Sequence, residues 1–255
     1  MRGQDLTSAD MDVRKFIIRV AAETGDVLGE NLAGLYVFGS LATGAFYRHA
    51  SDIDFLILVH EPLAPAKRAA LEKTLAALNG SRPTAGEIEV SVVQARHAKN
   101  YEHPLPLELQ YNSKASAVPA QLMHVKQRAV RLTGAEPQDA IGLIPWHAFM
   151  DSVVSEFDAK GGKIEERPAA VVFNACRTLH DTTHPSIRIL SKTEAAEWAL
   201  TVVPEEYKPT IEAALEAHRT GAVTPLDADT IRRFRAYVED AGRTAFDKVR
   251  DVDEE

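Results

Sequence analysis

The stretch "LYVFGSLATGAFYRHASDIDFLILV", Leu35 to Val59, constrains the fold of this chain more than any other. Two apolar runs flank a Gly39-Ser40 pair, and Asp52 and Asp54 open the second run. The run "FLILV" reads as a buried strand, and carboxylates at the mouth of such a strand are costly unless something binds them. A period of two puts Asp52 and Asp54 on one face and Ile53 on the other. Two acids so close repel, which raises one pKa unless a cation lies between them. Mg²⁺ suits the pair, because it takes few carboxylates and fills its shell with water and phosphate oxygens. The Gly39-Ser40 turn offers backbone N–H groups and a hydroxyl for phosphate oxygens. Together these features predict a nucleoside-triphosphate site built on a turn and two strands.

The surrounding pattern extends this α/β layer. "SADMDVRKFIIRVAAETGDVLGENL" reads as an amphipathic helix capped by Ser8 or Asp10. "LYVF" reads as a short strand ending in a turn and a short helix through Thr43, and Asp52 to Val59 as a second strand. "APAKRAALEKTLAALNG" is a helix with Pro near its start and Asn-Gly at its end. "GEIEVSVVQA" alternates, with Ile88, Val90 and Val92 on one face and Glu87, Glu89 and Ser91 on the other. The polar face of this strand thus carries two acids, Glu87 and Glu89.

After about Gln121 the strand signals thin out. Helices are expected over Trp146 to Phe157, Pro168 to His180, Lys192 to Val203, Pro209 to Arg219 and Asp227 to Val249, separated by loop-like segments such as "AKGGKIEERP" and "TGAVTP". The fold class is therefore α+β: an N-terminal α/β domain with a mixed sheet over residues 1–143, then a C-terminal α-helical bundle over 144–255. Trp198 has helical spacing to Ala195 and Val202 and reads as core. His147, His180, His184 and His218 receive no chemistry. Arg48 reads equally as a phosphate contact from the turn or as a solvated loop residue, and stays outside the site.

The formal net charge of −8 argues against binding a nucleic-acid backbone and suits a cationic small molecule. The apolar run Phe55 to Val59 is far short of a membrane span, and the N-terminal "MRGQDLTSADMDVRK" lacks the apolar core of a signal peptide. Cys176 stands alone, which excludes a disulfide framework. A cytoplasmic monomer without membrane or nucleic-acid partners is expected.

Gly-Ser, eleven residues, then Asp-x-Asp between apolar strands resembles the signature of the polymerase-β-like nucleotidyltransferases. "NACRTLHDTTHPSIRILSKTEAAEWALTVVPEEYKPTIEAALEAHR" is similar to the C-terminal helical domain of the streptomycin/spectinomycin adenylyltransferases, whose helices carry "LCR" or "LSR", "SK-x-E-A-A-x-W-A" and "LP-x-x-Y-x-P-x-I". The resemblance implies a two-domain enzyme, active in the interdomain cleft, that moves AMP from Mg·ATP to an antibiotic hydroxyl. It implies Asp52 and Asp54 as metal ligands, Glu89 rather than Glu87 as catalytic base, and Gly39 and Ser40 as the phosphate turn. It further implies Arg177 and Lys192 as contacts to the nucleotide phosphates. One departure bears on the acceptor. Streptomycin-modifying relatives carry "LQFGEW" where this chain reads "LELQYNSK", so Lys114 replaces the tryptophan that meets the drug. Spectinomycin is the acceptor this predicts, with streptomycin used poorly. The relatives' acidic contacts before the "CR" helix are also not reproduced in register, although Glu165 and Glu166 lie nearby.

Overall fold

The computed structural model describes Leu6 and residues 9–184, 187–221 and 226–250. The chain divides into two compact units, Met1–Pro145 and Trp146–Glu255. In the first, α1 (Met11–Leu28) leads to β1 (Leu32–Phe38), the short α2 (Gly39–Thr43) and β2 (Ile53–Val59). Then follow α3 (Pro65–Gly80), β3 (Ile88–Gln94), α4 (Ala95–Lys99), β4 (Leu107–Tyr111), α5 (Val118–Arg128), β5 (Val130–Gly134) and α6 (Pro137–Ala140).

The strands form one five-stranded sheet in the order β4-β3-β2-β1-β5. Only the β2–β3 pair is parallel, and α3 provides the crossover that a parallel pair needs. The other pairs are antiparallel, so the sheet is mixed. Strand alternation sorts its two faces. Leu35, Val37, Ile53, Phe55, Ile57, Ile88, Val90 and Val92 join Phe16, Ile17 and Val20 of α1 and Leu71, Leu75 and Leu78 of α3 in one core. Asp54, Glu89 and Ser91 alternate with these residues and lie on the other face, where α5 packs and Gln121 accepts a hydrogen bond from the Ser91 hydroxyl at 2.6 Å.

Two strands escaped the sequence reading. β4 and β5 close the two edges of the sheet, and their half-buried pattern lacks the apolar run that marks β1 and β2. The Ser8 alternative for the α1 cap lies outside the described residues. Asp10 does occupy the N-cap position, but its side chain makes no capping bond. It pairs instead with Arg48 at 2.6 Å, and Asp12 pairs with the same guanidinium at 2.8 Å. Arg48 is thus a strap between the α2–β2 loop and α1.

The second unit contains α7 (Trp146–Gly161), α8 (Pro168–Thr183), α9 (Lys192–Val202), α10 (Lys208–Thr220), α11 (Ala228–Ala241) and α12 (Arg243–Arg250). α8 is central: α7, α9, α10 and α11 all pack on it, and Val171, Val172, Phe173, Ala175, Cys176 and Leu179 are buried. The expected single helix over Asp227 to Val249 is two helices broken at Gly242. A Cβ at Gly242 would stand 2.5 Å from Thr182 Oγ1 and 2.8 Å from Thr182 Cβ, so the missing side chain lets the joint press against α8. Trp198 is half-buried rather than deep core, with its ring edge-on to the stacked imidazoles of His180 and His184.

Candidate active site

Backbone pairing brings the N-terminal residues together. β1 ends at Phe38, which lies opposite Asp54 in the antiparallel β1–β2 ladder. Asp54 is in turn the parallel partner of Glu89. Paired residues on adjacent strands point to the same face, so two carboxylates lie side by side about one strand spacing, ~4.8 Å, apart in the ladder. Both are half-buried, on the face opposite the α1–α3 core. Glu87, the rival on the same sequence face, is exposed and precedes β3.

Gly39 follows Phe38 with φ +68°, a conformation that L side chains rarely adopt. A Cβ there would fall 1.9 Å from Asp54 Oδ2. The main chain therefore passes directly against the Asp54 carboxylate, which explains why the turn needs its glycine. Ser40 is half-buried in the first turn of α2. Thr43 fastens that turn by donating its hydroxyl to the Gly39 and Ser40 carbonyls at 3.0 and 3.2 Å.

Asp52 lies one residue before β2 and is half-buried. Its Oδ1 accepts the Glu87 backbone N–H at 2.8 Å. Beside it, the buried Ser51 accepts the Tyr47 N–H on its hydroxyl at 3.0 Å. Among the described residues no three His, Cys, Asp or Glu side chains gather into a ready-made metal cage. The donor set nevertheless fits Mg²⁺, whose protein ligands are typically one or two carboxylates completed by water and phosphate oxygens. The Gly39 cradle, which a Cβ would fill, lets the Asp54 carboxylate lie directly against the turn.

Lys114 is exposed and precedes a 3₁₀ turn, its carbonyl accepting the Ala117 N–H at 3.1 Å. Beside it, Ser91, Gln110, Ser113 and Gln121 form a side-chain hydrogen-bond network on the Glu89 face, which the sequence reading missed. Ser and Gln scattered over β3, β4 and α5 carry no spacing signal that links them.

In the second unit, Arg177 is half-buried midway along α8, and its Nη2 lies 3.4 Å from Glu156 Oε1 on α7. That is a loose contact for a guanidinium, and Arg177 Nε is buried with no hydrogen-bond partner. Lys192 is the first residue of α9, directly after the Ser191 cap. Ser191 Oγ accepts the Glu194 N–H at 3.2 Å, and Glu194 Oε2 accepts the Ser191 N–H at 2.7 Å. This capping box fixes where the lysine leaves the helix. Burial pushes the Asp181 carboxyl above the usual carboxylate range, opposed by His180 Nδ1 at 3.1 Å. Burial also pushes the Cys176 thiol far up, which makes it a packing residue and not a nucleophile. Glu165 and Glu166 are engaged, with Arg232 at 2.7 Å and Lys163 at 3.0 Å.

Comparison with known proteins gives the arrangement its family. Residues 25–120 match the nucleotidyltransferase domain, and residues 140–241 match the C-terminal domain of aminoglycoside adenylyltransferases. A spectinomycin 9-adenylyltransferase of Campylobacter jejuni is 26% identical over 218 residues, spanning 77% of this chain and 81% of the relative. One from Staphylococcus aureus is 24% identical over 216 residues, spanning 76% and 80%. The crystal structure of the spectinomycin adenyltransferase AAD(9) of Enterococcus faecialis, with ATP and spectinomycin, shares the fold at a TM-score of 0.75. It is 18% identical, and the match covers 91% of this chain and 99% of that one. Among the described residues no helix is long and apolar enough to cross a membrane. With both domain types present in this order, the chain has the domain organisation of the aminoglycoside adenylyltransferases and is an adenylyltransferase.

Proposed function

We propose that the enzyme uses Mg²⁺ and ATP to place AMP on a hydroxyl of an aminocyclitol antibiotic, with spectinomycin preferred to streptomycin. The observation that carries this reading is the Asp54–Glu89 pairing across β2 and β3, with the Gly39 backbone against Asp54. It supplies a metal-type carboxylate and a base one strand apart.

In this reading Asp52 and Asp54 hold Mg²⁺, which when bound neutralises triphosphate charge and polarises the α-phosphoryl group. The Gly39-Ser40 turn donates to phosphate oxygens. Glu89 accepts the proton of the acceptor hydroxyl as its oxygen bonds to the α-phosphorus. The bond from that phosphorus to the bridging oxygen breaks, and pyrophosphate leaves. Arg177 and Lys192 donate to phosphate oxygens. The loose Glu156 contact and the orphaned Nε of Arg177 are what an arginine awaiting an anion would show. Retention of Asp52, Asp54 and Glu89 together speaks against a binding protein without turnover.

The acceptor preference follows from Lys114 and from the spectinomycin enzymes among the relatives. An aromatic face would give a guanidinium group a cation–π contact of roughly 0.5–2 kcal/mol, which a lysine cannot offer. The net charge of −8 steers either cationic drug toward the protein. We read the protein as a cytoplasmic monomer without nucleic-acid partners. A second reading keeps the chemistry on another small-molecule or protein acceptor, and the engagement of Glu165 and Glu166 in other ion pairs favours it over streptomycin. Parallel turnover assays with both drugs test the preference. Spectinomycin should be the better substrate by roughly 2–30-fold, the rate equivalent of one lost cation–π contact. Equal use of streptomycin would refute the reading of Lys114, and no turnover of either would favour the second acceptor class.

A further inference from the structure

The Asp52 carboxylate owes its place to a backbone contact outside any metal-ligand motif. Its Oδ1 takes the Glu87 N–H at 2.8 Å, while the Glu87 carbonyl takes the Ile53 N–H at 2.9 Å. Residues 86–87 therefore run beside 51–53 and continue the parallel ladder one step beyond the Ile53–Ile88 pair. This approach requires a residue without a side chain at position 86. A Cβ on Gly86 would stand 2.1 Å from the Ser51 carbonyl oxygen, 2.4 Å from its carbon and 2.7 Å from Asp52 N. These are backbone atoms and cannot rotate away.

The other side of the loop is held as firmly. Arg82 donates Nε to the Gly86 carbonyl and Nη1 to the Asn79 carbonyl, both at 2.6 Å. Thr84 Oγ1 lies 3.3 Å from the same Gly86 oxygen. Asn79 Oδ1 accepts the Ile88 N–H at 3.0 Å, tying the end of α3 to the start of β3. The loop from α3 to β3 is thus clamped from outside by a half-buried guanidinium and pressed inside against the peptide that carries Asp52.

We propose that Gly86 and Arg82 are positioning residues for Asp52, holding one carboxylate oxygen on the Glu87 N–H so that the other is presented to a divalent cation. The inference rests on the reading of Asp52 as a metal ligand. Outer partners of a metal-ligating group typically contribute 10–100-fold to metal affinity. Gly86→Ala shifts the Ser51–Asp52 peptide and is expected near the upper end of that range. Arg82→Ala frees the loop and is expected near about tenfold, with partial recovery in Arg82→Lys, which can still donate to the Gly86 carbonyl.

The test is Mn²⁺ binding by electron paramagnetic resonance, on the full chain with a non-hydrolysable ATP analogue, for these three variants and Asp52→Asn. Weakened Mn²⁺ binding in Gly86→Ala and Arg82→Ala, recovery in Arg82→Lys, and unchanged affinity for the metal-free nucleotide support the proposal. Should Gly86→Ala fail to fold, Arg82→Ala and its lysine rescue decide. Wild-type Mn²⁺ affinity in folded Gly86→Ala and Arg82→Ala, with loss in Asp52→Asn, overturns the positioning role and spares the metal site. Wild-type affinity in Asp52→Asn overturns both.

Discussion

The two units hold their charged groups by different means. In the N-terminal unit Asp54 and Glu89 sit on a hydrogen-bonded ladder, and Asp52 is pinned by the loop that extends it. In the C-terminal unit Arg177 and Lys192 sit on helices, one beside a loose carboxylate and the other after a capping box. A strand register cannot slip by one residue without turning every side chain to the opposite face. A helical side chain has several rotamers and adjusts to what it meets. On the proposed reading, the ladder gives the carboxylates the fixed geometry that chemistry on a phosphorus atom requires, and the helices give the cations an adaptable grip. Changes on the ladder should appear in rate, and changes on the helices in affinity or stability.

The sharpest way to break this contrast is Asp54→Asn. Loss of a metal ligand removes several kcal/mol of transition-state stabilisation, so turnover should fall roughly a thousandfold or more. Like charges on directly paired strands repel, so the metal-free variant should melt no lower than wild type. Initial rates and a thermal melt check both halves, and near-normal turnover would sink the site assignment.

Arg177→Ala comes next. A charge-assisted hydrogen bond contributes about 1.5–3 kcal/mol, so ATP affinity should fall about 10–100-fold. Calorimetric titration with ATP reads it, and an unchanged Kd would remove Arg177 from the nucleotide contacts. The smallest effect is expected from Ser191→Ala. It deletes the N-cap acceptor of α9 and should cost about 1 kcal/mol of stability. It also loosens the helix start that carries Lys192. A denaturant titration measures the first effect, and a stability equal to wild type would mean that packing alone fixes α9.

What the sequence revealed and concealed follows the same division. β1 and β2 were legible because a buried strand writes its burial as an apolar run, and β3 because its apolar residues alternate with polar ones. Asp52 and Asp54 stood out because acids break such a run, whereas Glu89 shared its polar face with Glu87 and was singled out only by the family resemblance. β4 and β5 were not, since an edge strand such as "LELQY" or "VRLTG" needs only one partner and one covered face. Gly242 looked like an ordinary helix residue, because its role depends on Thr182, sixty positions away in sequence. Gly86 and Arg82 were equally silent. Their contacts run between a loop and the mouth of a strand, and the spacing of residues along the chain holds no trace of that. Arg48 was ambiguous for the same reason until Asp10 and Asp12 appeared beside it.

The central claim is that AMP leaves ATP for an acceptor hydroxyl whose proton passes to Glu89. It is tested most directly by following label from ATP marked at the α-phosphorus into spectinomycin, with wild type and Glu89→Gln in parallel and ATP affinity measured for both. The account predicts labelled drug and pyrophosphate from wild type, a rate about 10²–10⁴-fold lower in Glu89→Gln, and equal ATP binding. Absence of label in the drug with wild type, or an undiminished rate in Glu89→Gln, would contradict it.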